Sequence, residues 1–325
     1  MVSITLLSIV LIGAGSLSPF CQVLALKVLP ARDGLSPDKL QHDAAAVLRD
    51  IAGPLDRQLA HIDDVVYNLG RDKLVVMTST TSKYSALTQN LYLSMRSVGR
   101  SKLLVFCEDA ACEPQLRGQG MHVVSTGSGL SEGGLYDSPG FNAITGRKPA
   151  YVYSLLRRGY AVLWTDSDTS WLTDSVASLA ALDKAFAAQD DSKMRGEKGL
   201  PLDAPLGLRR ANTGFFLVRP TEVGKALVAS WLLNMGPGLK DQKLQDQRVF
   251  QSSLWSQCQR ICSEELQACG PEADCVLLSR ERCPNGSIPK WRWSKKALAF
   301  HANWHDGISA KVEQMRMKGL WLLKP

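Results

Sequence analysis

From Lys73 onward, short apolar runs rich in β-branched residues alternate with stretches of helical spacing, and this alternation restricts the fold more than any other feature. "KLVVMTST" (73–80) reads as a strand. In residues 84–98, Tyr84, Leu87, Leu91, Met95 and Val98 stand three or four apart, an amphipathic helix that Gly99 ends. "KLLVFCED" (102–109) is a second strand, a short helix comes next, and "HVVST" (122–126) is a third strand. A helix is expected over 146–158, capped by Thr145 and stopped by Gly159, leading into "YAVLWTD" (160–166). "GFFLVRP" (214–220) is a further strand, and 221–233 and 246–257 are helical. "ALAFHANW" (297–304) ends an apolar run in polar groups, and a last helix runs from about Ile308 to Gly319. Alternating strands and helices mean an α/β fold, a mostly parallel sheet covered on both faces. No linker interrupts 71–325, so this span is expected to be one domain, preceded by a helical spacer or stem over 26–70 that Gly53-Pro54 breaks.

In such sheets, ligands bind beyond the carboxyl ends of the strands. Asp166 and Asp168 stand there, two residues apart after the run that climbs to Trp164, and Asp174 comes shortly after. In an extended chain, residues two apart share a face. Two carboxylates on one face repel unless a cation or a proton lies between them. Oxygen ligands suit Mg²⁺ and Mn²⁺, whose open positions accept phosphate oxygens. The pair therefore reads as a clamp for a metal and a diphosphate. Two other readings compete. One is a strand-end turn in which Asp168 caps the next segment. The other is an aspartate-nucleophile phosphatase, because the segment resembles the haloacid-dehalogenase motif. Against it, three strand–helix units precede the pair and Thr169 directly succeeds the second aspartate. A further acidic pair, Asp190-Asp191, sits in a polar stretch rather than after an apolar strand.

The net charge of +7 suits an anionic partner. The Lys and Arg residues are scattered, and no basic stripe interleaves with aromatics, so nucleic acid is not expected as the partner. The first charged side chain is Lys27, and the apolar run Val2–Ile12 leads to a small-residue cleavage site at Val23-Leu24-Ala25. Residues 1–25 thus read as a signal peptide or as an uncleaved signal anchor, the only membrane contact expected. Lys27 and Arg32, on the carboxyl side of the run, favour cleavage. Either way, the body enters the secretory pathway. Five of the eight cysteines crowd into 258–283 (Cys258, Cys262, Cys269, Cys275 and Cys283), and no CxxC pair occurs. Disulfides fit this better than zinc. Asn285-Gly286-Ser287 is a glycosylation sequon.

Arg147 and Lys148 open an expected helix, where the macrodipole disfavours cations. A nearby diphosphate would account for them, and plain exposure is the alternative. Trp291, Trp293 and Trp304 are either sugar-stacking platforms or core.

Four segments, in order, carry a resemblance: "VLWTDSDTSWLTD", "NTGFFLVRP", "DQRVF" and "HANWHDGISAKVEQMRMKGLW". Over residues 71–325 the chain resembles the nucleotide-diphospho-sugar transferases of glycosyltransferase family 77, plant and algal retaining enzymes with a GT-A fold. The resemblance implies a Rossmann-like, mostly parallel sheet. It implies a Mn²⁺-dependent (or Mg²⁺-dependent) transfer from a UDP-sugar to a polysaccharide or glycoprotein acceptor in the Golgi lumen. Asp166 and Asp168 would hold the metal on the donor diphosphate, with His301 beside them. Asn212 and Gly214 would line the sugar and acceptor pocket, and Asp246 and Gln247 would lie near the transferred sugar. Gly307 and Lys311 would approach the phosphates, and Thr78, Ser79 and Asp109 would hold the uridine. Ser167 and Thr169 depart from the hydrophobic residues of many relatives, and the cysteine-rich insert at 258–283 is not a general mark of the family.

Residue logic supports part of this. His301 is the first polar residue beyond the apolar "ALAF", the same strand-end position as Asp166, whereas His305 falls in the following loop. Neutral imidazole is a competent partner for carboxylates around Mn²⁺. Gly307 lets the backbone approach a phosphate, the next helix offers unpaired N–H groups, and Lys311 lies in its first turns. Lys148 would contact the diphosphate. A catalytically silent, glycan-binding relative is the alternative function.

Overall fold

"DKLVVMTST" is an interior strand of the sheet, and its partners explain why it is so apolar. Its Val75 pairs with Val66 on one side and with Val162 on the other. The computed structural model describes residues 36–52, 59–69, 72–130, 136–191, 210–236, 244–258, 261–264 and 273–324. The strands are β1 (Val66–Leu69), β2 (Asp72–Thr80), β3 (Leu104–Cys107), β4 (His122–Ser125), β5 (Ala161–Thr165), β6 (Thr169–Trp171), β7 (Phe186–Asp190), β8 (Ala211–Val218), β9 (Ile261–Ser263), β10 (Cys275–Leu278) and β11 (Ala299–His301). The helices are α1 (Pro37–Ala52), α2 (Ser85–Ser97), α3 (Cys112–Leu116), α4 (Pro139–Thr145), α5 (Lys148–Leu156), α6 (Ser175–Ala180), α7 (Glu222–Met235), α8 (Asp246–Gln257) and α9 (Ile308–Met317).

The central sheet runs β4-β3-β2-β5-β8-β7-β10-β9, with β1 on β2. It is a mixed, mostly parallel α/β sheet, as the alternation predicts. β8 runs antiparallel to both β5 and β7. That reversal brings the amino end of β8 to the carboxyl ends of its two neighbours. A register shift between Ala188 and Asp190 bends β7 there, as bulges beside functional sites do. β6 and β11 form a separate antiparallel pair. One apolar cluster packs α1, α5, α7 and α8 on one face; another packs α2 and α6 on the opposite face.

Several expectations are corrected. The 26–70 segment is not a free-standing spacer where it is described. Leu40, Ala44 and Leu48, four apart on α1, are buried against α7 and α5, and β1 joins the sheet. The helix expected over 146–158 is two helices. Ser138 caps α4 through Phe141 N–H at 3.3 Å, so Thr145 ends a helix rather than capping one. Pro149 has no N–H to donate to Thr145, so the chain starts again at Lys148. The cysteine-rich stretch is part of the sheet edge, since β10 pairs with β7 in parallel. Asp190-Asp191 does end a buried strand, because all five residues of β7 are enclosed.

Disulfides join Cys107 to Cys112, at the end of β3, and Cys258 to Cys275, tying the end of α8 to β10. Cys262 is also disulfide-bonded, whereas Cys283 is a free, buried thiol whose pKa burial pushes far up. Cys269, the signal or anchor segment and its cleavage site lie outside the described residues. Among the described residues, no helix is long and apolar enough to cross a membrane. Asn285 of the sequon is fully buried, its carboxamide oxygen accepting from Ser287 N–H at 3.0 Å and Ser287 O–H at 2.7 Å.

Candidate active site

β5 ends at Thr165, and the chain turns at once: Thr169 N–H donates to the Asp166 carbonyl at 3.0 Å and β6 begins. The turn is held from both sides. Asp166 N–H donates to the Gly214 carbonyl at 2.7 Å, and Ala302 N–H donates to the Asp168 carbonyl at 3.0 Å. The β6–β11 ladder sets His301 opposite Thr169. Asp166, Asp168 and His301 therefore converge, with ligand atoms all within 4.8 Å of one another. His301 Nε2 lies 3.1 Å from Asp168 Oδ1 and 3.9 Å from Asp166 Oδ2.

The tautomer of His301 is set by its other nitrogen. Gln189 Nε2 donates to the Cys283 carbonyl at 2.7 Å, which turns Gln189 Oε1 toward His301 Nδ1 at 3.0 Å. Nδ1 then carries a proton, and Nε2 is the nitrogen that faces the carboxylates. A ring nitrogen and a carboxylate oxygen 3.1 Å apart need a proton or a cation between them. The donor set fits a hard divalent ion with one borderline ligand. Gly214 keeps the cradle open: a Cβ there would stand 2.2 Å from His301 Cε1 and 2.6 Å from Asp166 Oδ2.

Two ammonium groups flank this set. Lys311, from α9, donates to Asp168 Oδ2. Burial works to raise the Asp168 pKa, but Lys311 and His301 overcome it and hold the carboxyl well below the usual range. Lys148 is fully enclosed rather than exposed. Its Nζ lies 3.3 Å from Asp166 Oδ1 and 3.3 Å from Asp246 Oδ2, and it donates to the Thr213 carbonyl at 2.9 Å. Burial opposes its charge, and the two aspartates outweigh burial, so its pKa stands above the ordinary lysine value. Asp166, Asp168 and Asp246 thus share two ammonium ions, a surplus of one negative charge. Arg147 turns elsewhere, 3.5 Å from buried Glu108 and donating to Tyr151 O–H at 2.8 Å.

The reversed β8 delivers "NTG" into the same place. Asn212 Oδ1 accepts from Gly214 N–H at 2.6 Å, Thr213 Oγ1 donates to Asp246 Oδ2 at 2.9 Å, and Gln247 Oε1 accepts from Thr213 N–H at 3.3 Å. Sequence reasoning missed the residue that gathers these groups. Asp191 is buried at the end of β7 and accepts from Asn212 at 3.0 Å, Gln247 at 2.8 Å and Asn303 at 2.7 Å. Burial pushes its pKa up, against the amides of Gln247 and Asn212. The available signal was the sequence "FAAQDD", a short apolar run ending in acids, and its two alanines hid it. Gln189 left no signal of its own. Asn303 lies two residues beyond His301, in "HANW".

Other expected site residues lie farther along the same strand ends. Thr78 is buried and Ser79 half-buried near the end of β2, and their bonds stay local. Asp109 uses both carboxylate oxygens on backbone, accepting from Ser82 N–H at 2.8 Å, Ala111 N–H at 3.0 Å and Cys112 N–H at 2.8 Å. Gly307 precedes α9 with φ of 81° and open space around its Cα. Asp174 serves the fold: it caps α6 through Ala177 N–H at 3.1 Å and accepts from Arg100 Nε at 2.8 Å. Trp293 stacks on Phe300 with centroids 5.2 Å apart, Trp291 is exposed and Trp304 partly exposed.

Residues 99–315 match the family described as nucleotide-diphospho-sugar transferase. The chain is similar to a UDP-D-xylose:L-fucose alpha-1,3-D-xylosyltransferase of Arabidopsis thaliana, 26% identical over 199 residues, covering 58% of this chain and 52% of that protein. It is similar to the beta-arabinofuranosyltransferase RAY1 of the same plant, 27% identical over 202 residues, covering 57% of this chain and 35% of that protein. The match thus spans about half the length of the first relative and about a third of the second. Among solved structures it is similar to the galactosyltransferase LgtC in complex with donor and acceptor sugar analogs, with 13% identity, 77% of this chain and 97% of that chain covered, and a TM-score of 0.44. The family match spans most of the described sheet and both halves of the aspartate–histidine cluster, and it sets the phosphatase reading aside. The chain belongs to the nucleotide-diphospho-sugar transferase family of glycosyltransferases.

Proposed function

We propose that the chain moves a sugar from a UDP-sugar to a glycan or glycoprotein acceptor, with retention of anomeric configuration and dependence on Mn²⁺ or Mg²⁺. The observation that carries this is the convergence of His301 Nε2, Asp168 and Asp166, with Nε2 at 3.1 Å and 3.9 Å from the two carboxylates and all three ligand atoms within 4.8 Å of one another. Asp166, Asp168 and His301 would hold the ion, which when bound would act as a Lewis acid on the leaving diphosphate. Lys148 and Lys311 neutralise the carboxylates and keep them in place. Lys311, Gly307 and the amino end of α9 would meet the phosphates. Thr78, Ser79 and Asp109 would border the uridine.

Asp246, Gln247 and Asn212 position the transferred sugar. Asp246 is tied to Lys148 and Thr213, which leaves it a poor nucleophile. Front-face attack by the acceptor hydroxyl, with Asp246 steadying positive charge on the sugar, fits this better than a covalent intermediate. The activities of the plant relatives, a xylosyltransferase and an arabinofuranosyltransferase, favour a UDP-pentose, xylose or arabinofuranose. The disulfides favour an oxidising compartment and hence a lumenal site such as the Golgi.

The test is UDP release from UDP-D-xylose, UDP-L-arabinofuranose and UDP-D-galactose with Mn²⁺. The wild type should turn over at least one, and Asp166→Ala and Asp168→Ala should each lose on the order of a hundredfold or more in rate. A folded wild type that binds UDP but releases none from any donor would mark a silent, glycan-binding relative instead.

A further inference from the structure

Among the described residues, two that are not glycine adopt positive φ: Asp137 at 64° and Trp304 at 65°. Aspartate adopts the left-handed region readily, but the bulky Trp304 is strained there, and such strain survives only where the surroundings over-determine it, most often beside a ligand site. The first position reaches α8 and the second follows Asn303, which reaches Asp191, and an exposed aromatic ring stands at each: Tyr136 beside Asp137, and Trp304 itself.

Asp137 is pinned from two elements. Its Oδ2 lies 2.9 Å from Arg248, two residues into α8 from Asp246, and Asn142 Nδ2 donates to its Oδ1 at 3.3 Å. This turn carries Tyr136, which is 54% exposed and rests against Phe141 at 5.4 Å between centroids. After burial, the charges of Asp246 and Asp191 are among the influences that raise the Tyr136 pKa, so its phenol lies within their field. Trp304 is pinned through its neighbour. Asn303 donates to Asp191 at 2.7 Å and accepts from Gly286 N–H at 3.2 Å, and Trp304, 45% exposed, is the next residue. Gly286 makes this approach possible, since a Cβ there would stand 2.0 Å from the Asn303 carbonyl oxygen.

Two rings are thus presented from separate loops, each anchored at the Asp191–Asp246 end of the pocket. A sugar ring has C–H patches that suit an aromatic face and an edge of hydroxyls that suits carboxylates and amides. The Asp166–Asp168–His301 set, whose Asp166 is partly exposed, would take the diphosphate end, which leaves the Asp191–Asp246 side for the second ring.

We propose that Tyr136 and Trp304 form the acceptor subsite, two aromatic platforms that receive the ring of the acceptor sugar while its hydroxyls face the Asp191–Asp246 network. This rests on the transferase reading above.

The experiment measures UDP release from the UDP-sugar that the wild type turns over, with Mn²⁺, against methyl glycosides of L-fucose, D-galactose, L-arabinose and D-xylose. At least one glycoside should accelerate release and saturate. Tyr136→Ala and Trp304→Gly should each raise the ratio of glycoside KM to UDP-sugar KM by about fivefold or more, the factor expected for one lost aromatic contact. Trp304→Gly removes the indole and relieves the positive φ together, and an unchanged urea midpoint confirms folding. Tyr136→Phe and Trp304→Phe should restore most of the affinity. An unchanged ratio in either truncation, or both KM values rising together, overturns the subsite and leaves the transferase reading standing. So does a wild type that releases UDP yet responds to none of the four glycosides. A wild type that releases no UDP from any donor overturns both.

Discussion

His301 Nδ1 meets Gln189 Oε1 at 3.0 Å, deep in the sheet, and this contact decides what the other face of the imidazole can do. With Nδ1 held by Gln189, Nε2 is the nitrogen left to meet a proton or a cation on the site side. Gln189→Leu should keep the fold and lower Mn²⁺ affinity about tenfold or more, as loss of a supporting partner does. Calorimetric titration of Mn²⁺ in the presence of UDP measures this, and an unshifted affinity would remove Gln189 from the account.

Lys148 is the counter-ion that two carboxylates share. Lys148→Met should destabilise the protein by about 3–5 kcal/mol, because it leaves enclosed negative charge uncompensated. Urea unfolding gives the value. In an Asp246→Asn background the same change should cost distinctly less, and equal costs in both backgrounds would show that the pairing is not the source.

Gly214→Ala should abolish turnover while lowering stability far less than a core truncation. The added methyl would sit 2.2 Å from His301 Cε1 and 2.8 Å from Asn212 Oδ1, so the imidazole must leave its place. The comparison to make is Mn²⁺-dependent UDP release against melting temperature. A variant with wild-type turnover would mean that His301 has room that the structure does not show.

Asp174 gives a pH-dependent contribution whose sign is fixed. Burial tends to raise its pKa, but Arg100 and the Ala177 amide outweigh burial and hold it below the usual aspartate value. A carboxyl depressed on folding contributes stability above its unfolded pKa of about 3.9, and that contribution is lost as pH falls through the folded value. Stability should therefore decline below about pH 4, and Asp174→Asn should flatten that part of the profile. Parallel profiles for the two proteins in urea unfolding would refute the assignment.

The Cys258–Cys275 bridge closes a loop with a sequence separation of 17. Replacing both cysteines by alanine should lower stability by about 3 kcal/mol if the bridge acts on the unfolded chain. Unfolding midpoints under non-reducing conditions test this, and a cost near zero would mean that the α8–β10 junction is held by its packing alone.

The sequence told most where local pattern and final environment agree. β2, β5 and β8 are apolar through their middles because both faces are covered, and Asp166, Asp168 and His301 were legible as polar groups that end such runs. Lys148 was half legible: its awkward place for the helix dipole pointed to an anion, but nothing local said that the anions would be Asp166 and Asp246. β7 was missed because Ala187 and Ala188 carry little apolar signal, so Gln189 and Asp191 went with it. β9 and β10 were hidden by the cysteines, whose spacing speaks of bonds and not of strand pairing. The role of Asn303 depends on a partner 112 residues away, which no local window contains.

Asp191 carries a consequence for how such a pocket can change. One carboxylate holds amides from β8, from α8 and from the loop after β11. Replacing any one amide leaves a charged oxygen to find a new partner, and the other two shift in response. The four positions are then epistatic: effects of single substitutions will not sum, and a graft of a different donor preference succeeds only when the whole quartet is exchanged together.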